Sequence, residues 1–315
     1  MEERMSKLKR TKIIWAIDPY GEAKIQASAA RLAESLSRKT DVEVIYVHGS
    51  SGFPFESDES DKKAIRFGLS RAEEKIQETL KELNFKPSQH PKILAHSSEY
   101  VRTDVKTLVK YAKKVKADAV LVSTNARVGF MRQALGSFAE TLILDSSVPT
   151  MIVNPKVKIE LRPGTILFPT DFSDLSWKAF QQVVSFAKAT NANIRIFHQY
   201  HGEAQAVSAD VSYFHNDRWL EGEKLLDDEL QKTKIKLKKW LASTRKQNVK
   251  CDHIIKFGRK NIADATLELA KKDHAWMIAM ATVTGPIAAT FLGSNARWIV
   301  RAAHCPVWVL YVEGK

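Results

Sequence analysis

The stretch Thr165-Ile166-Leu167-Phe168-Pro169-Thr170-Asp171-Phe172-Ser173-Asp174 decides the fold of this 315-residue chain. Thr165 to Phe168 are β-branched or apolar throughout, the composition of a strand buried on both faces. The run stops at Pro169-Thr170-Asp171, and Ser173-Asp174 are residue types that cap helices. Beyond them the apolar spacing turns helical, at Trp177, Phe180, Val183, Val184, Phe186 and Ala187. An acid therefore sits where a strand runs out, the place where open α/β sheets bind ligands. Lys12-Ile-Ile-Trp-Ala-Ile-Asp18, with the helical run Ile25 to Leu36 after it, has the same form. Asp171 follows Asp18 by 153 residues, a spacing that predicts one fold written twice.

Working outward, the first half continues with a strand at Val42–His48 and a helix over 60–83. That helix turns Ala64, Phe67, Ala72, Ile76, Leu80 and Leu83 inward. Strands follow at Lys92–His96, Ala119–Val122 and Val148–Val153, with helices over 105–115 and 137–144 between them. The second half repeats the order. Its strands fall at 165–168, 193–198, 251–256, 276–280 and 307–311, and its helices at 175–189, 217–245, 262–271 and 294–301. Ala281 to Thr284 reads as the loop after the fourth strand of that half. Strands alternating with helices predict parallel sheets with right-handed crossovers. The expected architecture is α/β: two five-stranded, doubly wound, Rossmann-like domains in tandem, over 1–154 and 165–315. A Pro- and Gly-containing linker, 155–164, joins them.

Composition narrows the function classes. The hydrophobic fraction of 44% suits two globular cores. No apolar run approaches the roughly 20 residues of a membrane span. The first ten residues carry charge and no apolar stretch, so a cytoplasmic location is expected. Cys251 and Cys305 form no disulfide framework. The net charge of +13 is spread over both halves and is densest at Lys232-Thr-Lys-Ile-Lys-Leu-Lys-Lys239. No aromatic residues are interleaved there, which argues for a solvated helix face and against nucleic acid. His96, His198, His201 and His215 lack metal-ligand spacing, so no metal is expected. No Gly-x-Ser-x-Gly elbow surrounds Ser137 or Ser294, and no Walker lysine follows either glycine pair.

Ligand chemistry is expected where the turn after the first strand meets the loop after the fourth. In the first half these carry Asp18 and Ser123-Thr-Asn-Ala-Arg-Val-Gly129; in the second, Asp171 and Ala281-Thr-Val-Thr284. Gly136-Ser137 and Gly293-Ser294 open the following helices, whose free N–H groups suit an anion. A neighbouring Asp suits a sugar hydroxyl or a base.

At these residues the chain resembles the universal stress protein family, in its tandem form. The resemblance rests on Ile166-Leu-Phe-Pro-Thr-Asp171-Phe-Ser-Asp, on Gly293-Ser-Asn-Ala and on Cys305-Pro-Val-Trp-Val-Leu. In the first half it rests on Ile17-Asp18, Gly136-Ser-Phe-Ala-Glu and Val148-Pro-Thr-Met-Ile-Val. The family's nucleotide-binding branch carries Gly-x2-Gly-x9-Gly-Ser/Thr. Counting back from Gly136 places its first two glycines at Ser123 and Ala126, both small, with Arg127 and Gly129 beside them. Counting back from Gly293 places them at Met280 and Val283, which are not small. The resemblance thus implies a degenerate site for ATP or a related adenine nucleotide at Asp18, Ser123, Ala126, Arg127, Gly129, Gly136 and Ser137. A second candidate comprises Pro169, Thr170, Asp171, Gly293 and Ser294. It implies a stress-adaptation factor that binds a small molecule and is not a dedicated enzyme. It also implies that the two domains pair within the chain, which leaves a monomer and a further homodimer equally open. A nucleotide-free interaction scaffold and a slow ATPase are the competing readings.

Overall fold

The computed structural model describes residues 10–49, 59–124, 137–201, 216–284 and 293–313. The first half comprises β1 (Lys12–Ala16), α1 (Ala23–Ser37), β2 (Asp41–Gly49), α2 (Glu59–Glu82), β3 (Lys92–His96), α3 (Val101–Lys114), β4 (Ala119–Ser123), α4 (Ser137–Asp145) and β5 (Thr150–Val153). The second comprises β6 (Thr165–Pro169), α5 (Asp174–Thr190), β7 (Asn193–His201), α6 (Asn216–Lys246), β8 (Cys251–Gly258), α7 (Ile262–Lys272), β9 (Met277–Thr284), α8 (Ser294–Ala302) and β10 (Val307–Glu313). No described helix is long and apolar enough to cross a membrane.

The two expected sheets are one. Among the described residues ten strands run in the order β3-β2-β1-β4-β5-β10-β9-β6-β7-β8, and neighbours are parallel except β5 and β10. Those two pair antiparallel, with Met151 opposite Trp308. Aligning Val148-Pro-Thr-Met151 with Cys305-Pro-Val-Trp308 makes Met151 and Trp308 equivalent positions. The pairing is therefore centred on a local two-fold axis, and the halves join through like edges.

Side chains on the sheet alternate between two helical layers. Ile13 and Trp15 pack with Leu32 of α1 and Ile76 of α2, as Phe168 packs with Phe180 of α5 and Trp240 of α6. On the other face Ile14 meets Leu108 of α3 and Leu142 of α4, and Ile278 meets Ala270 of α7 and Val300 of α8. α5 is capped as its sequence suggests: Ser173 accepts from the Ser176 N–H, and Asn191 ends the helix in the left-handed region at φ 61°.

Three further expectations are corrected. Phe67 is 70% exposed, and among the described side chains of α2 the first buried one is Ala72; the Ala64 side chain lies outside the described residues. Helical spacing marks a face, not how much of its length is covered. α3 starts at Val101, four residues before Val105, so the apolar spacing extends one turn further towards the N-terminus than expected. Residues 281–284 are not a loop: they prolong β9 and pair with Leu310 to Glu313 of β10.

Residues 155–164 lie packed along α1. Val157 and Ile159 are buried, Ser28 Oγ sits 2.9 Å from the Pro155 carbonyl and 2.7 Å from that of Val157, and Ser35 Oγ donates to Leu161 O at 2.9 Å. Ser28→Ala leaves carbonyls at a largely buried seam without their donor. The expected loss is about 1–2 kcal/mol in urea-induced unfolding; an unchanged midpoint would mean that water replaces the hydroxyl.

Each half also holds an ion-pair network, with inverted polarity. Ile14 and Leu167, 153 residues apart, pair with Glu43 and Arg195. The fully buried Glu43 carboxylate receives Lys12 at 2.9 Å, Lys92, and the Tyr111 hydroxyl at 2.6 Å. Arg195 instead reaches two acids, Asp252 (2.7 Å from Nε) and Asp273.

Candidate functional site

At the carboxyl ends of β1, β2 and β4 the first half opens a cavity of about 300 Å³. Its floor is made by strand ends, Ala16, Tyr46 and Val122 among them, and one wall by the start of α4. The turn after β1 is held from below. Gln26 of α1, 3% exposed, accepts from the Asp18 N–H at 3.0 Å and donates to the Asp18 carbonyl at 2.5 Å. Asp18 Oδ1 accepts from the Tyr20 N–H at 3.1 Å, while Oδ2 takes no hydrogen bond from the described residues. A Cβ at Gly21 would come within 2.9 Å of Oδ2, so glycine leaves this oxygen its place. The Asp18 carboxylate is thereby positioned at the rim with one oxygen available.

Ser123 ends β4 in the same cavity; its Oγ is buried and has no partner among the described residues. Ser137 opens α4, where unpaired N–H groups and the helix dipole favour negative charge. Of the sequence-derived first-half residues, Asp18, Ser123 and Ser137 are thus brought together. Ala126, Arg127, Gly129 and Gly136 lie outside the described residues.

Sequence reasoning missed Gln26, Tyr46 and Asp104. Asp104 of α3 lines the cavity, and its Oδ1 lies 2.7 Å from His96 Nε2. Burial pushes the Asp104 carboxyl up, against the opposing pull of His96. Burial, and then Tyr20, Asp18 and Asp104, push the Tyr46 phenol up. Gln26 carried a signal, a lone amide on the buried face of α1; Asp104 and His96 carried none, since they meet across separate elements. The described lining holds the carboxylates Asp18, Glu22 and Asp104 and neither Lys nor Arg.

The second half treats the equivalent positions differently. Pro169 is the last residue of β6. Thr170 donates its N–H to Phe197 O at 2.9 Å, and its Oγ1 accepts from the Phe172 N–H at 2.9 Å. Asp171 Oδ1 accepts from Ser176 Oγ at 2.6 Å and the Ser173 N–H at 2.9 Å. Burial works to raise its carboxyl, but Ser176 and Ser173 outweigh it and hold it below the usual range. Phe172 adopts φ 56° and turns its buried ring onto Trp240 at 5.0 Å and His198 at 5.2 Å. Oδ1 of Asp171 is thus engaged twice in building the turn that begins α5, while its Oδ2, like that of Asp18, takes no hydrogen bond from the described residues. Gly293 caps α8 at φ −54° with open space where a Cβ would stand, and Ser294 follows as the first helical residue. Between them, β-branched Thr282 and Val283 carry β9 onward, so backbone N–H groups that a glycine loop could aim at a ligand enter the ladder with β10.

Among the described residues no three His, Cys, Asp or Glu gather as a metal site requires. His96 faces Asp104, and His198 Nδ1 lies 2.7 Å from Thr170 O. His201 and His215 have no described side chains.

The chain is similar to several known proteins. A universal stress protein of Methanocaldococcus jannaschii is 28% identical over 142 residues, which covers 44% of this chain and 81% of that protein. The crystal structure of a universal stress protein from Archaeoglobus fulgidus superposes with a TM-score of 0.61 at 14% identity, covering 96% of this chain and 99% of that one. A Pseudomonas aeruginosa protein of unknown function superposes with a TM-score of 0.61 at 12% identity, covering 96% and 93%. At such identities the two structures speak for the shared fold alone. The sequence model of the universal stress protein family matches residues 9–154 and again 163–310. Matched twice and over nearly its whole length, the chain belongs to the universal stress protein family, as a tandem of two such domains.

Proposed function

We propose that the first half binds an adenine nucleotide, or a small anion of that class, and that the second half acts as its structural partner. The observation that carries this is the convergence of the open oxygen of Asp18, the orphaned Ser123 Oγ and the start of α4 at Ser137 on one cavity. A carboxylate accepts from ribose hydroxyls, and a helix N-terminus suits phosphate. Family membership supports the reading, and the extended β9 supports a structural role for the second half. In this reading the protein is a stress-response binding module that works in the cytoplasm. ATP stays intact, so phosphate release stays at the buffer rate.

Titration calorimetry of the intact chain with ATP and AMP tests the site. Both should bind, and Ser137→Trp, which places a large ring at the start of α4, should weaken each at least tenfold. Absence of heat from the intact chain would overturn the reading and favour a nucleotide-free scaffold.

A further inference from the structure

The cavity has an order set by the sheet. Its three strands run β2-β1-β4, so its contributors lie in a row: Ser123 and Ser137 at the β4 end, Asp18 at β1, and Val47, Val101 and Asp104 at the β2 end. A nucleotide seated as proposed above, with phosphate at α4 and ribose at Asp18, directs its base to the β2 end. The described wall there is apolar apart from Tyr46 and Asp104.

Asp104 is built to be held still. Its Oδ1 is fixed on His96, whose side chain is 12% exposed. A Cβ at Gly49 would stand 2.3 Å from the Ser98 carbonyl and 2.9 Å from both Asp104 Oδ1 and His96 Cε1, so the end of β2 is closed tightly around the pair. No hydrogen bond among the described residues engages Oδ2 of Asp104, and the residue opens onto the cavity. A fixed carboxylate oxygen at the base end of a pocket accepts a hydrogen bond and offers none.

We infer that Asp104, positioned by His96, reads the base by accepting from an exocyclic amino group, so that the site selects an amino-bearing purine such as adenine. The inference rests on the nucleotide reading above.

The test compares AMP with purine riboside 5′-monophosphate, which lacks only the 6-amino group, by calorimetry on the intact chain and on Asp104→Ala. The wild type should prefer AMP by about tenfold or more, the scale of one hydrogen bond to a charged group. Asp104→Ala should bring the two ligands within about twofold of each other by weakening AMP alone. Asp104→Asn, which keeps the size of the side chain, should also narrow the ratio. Equal wild-type affinities would overturn this inference and leave the nucleotide reading standing. An equal loss of both ligands in Asp104→Ala would make the residue structural and overturn it too. Binding of neither ligand by the wild type would sink both readings together.

Discussion

Trp240→Ala is expected to lower the unfolding free energy by about 3–5 kcal/mol, the range for deleting a large aromatic from a packed core. Trp240 is 2% exposed and is the hub of the second half's helical layer. Its ring lies 4.6 Å from Phe180, 5.0 Å from Phe172, 5.4 Å from Trp177 and 6.1 Å from Phe168. Alanine would leave a void bordered by four aromatic rings, each set in its own backbone and unable to collapse inward fully. Part of the cost should appear at the β6 turn, since Phe172 keeps its left-handed conformation while its ring is braced on Trp240. Trp298→Ala is the control: that indole is 37% exposed and bonds Asp264 from the surface. Guanidinium unfolding of the two variants should separate them by more than 2 kcal/mol. Equal midpoints would show that the ring cluster is not the core of its half.

Glu43→Ala is expected to cost about 3 kcal/mol near neutral pH. Removing one member of a buried ion pair strands its partners. Here Lys12 and Lys92 are 22% and 50% exposed, so their ammonium groups can turn to water and hold the loss at the low end of that range. The network also predicts a pH dependence. Burial works to raise the Glu43 carboxyl, but Lys92, Tyr111 and Lys12 together pull it below the ordinary 4.5. A folded-state value below the unfolded one gives stability that is present above about 4.5 and lost as pH falls through the folded value. The stability gap between wild type and Glu43→Gln should therefore be widest at neutral pH and close under acid. A gap that stays constant from pH 7 to pH 3 would show that the carboxylate is not what the network needs.

The fold was legible because each strand is a short β-branched run ended by a turn, and because Thr165–Asp171 echoes Lys12–Asp18. The joining of the halves through one continuous sheet was not. Nothing in Val148–Val153 says that its open edge meets Val307–Trp308, since pairing of like edges depends on which edges lie free in space. Phe67 kept helical spacing beyond the covered part of α2. At residues 281–284 the β-branched types pointed to a strand, and analogy with the loop of the first half pointed away from it. In the site, Asp18, Ser123 and Ser137 were legible from their distances to strand and helix ends. Gln26, His96 and Asp104 were not, because a buried polar residue acquires its role only when its partner's element folds against it.

The inverted charges at Glu43 and Arg195 bear on how a duplicated chain finds its native pairing. Tandem repeats of one fold risk exchanging equivalent strands during folding. If β2 were to settle against β8, Glu43 would meet Asp252, acid against acid. If β7 were to settle against β3, Arg195 would meet Lys92, base against base. Each half accepts its own third strand and repels that of its neighbour, at a position where the sheet core would otherwise look alike in both. The reversal of sign thus sets opposite charges together in the native pairing and like charges together in an exchanged one, a label of origin written once in each repeat.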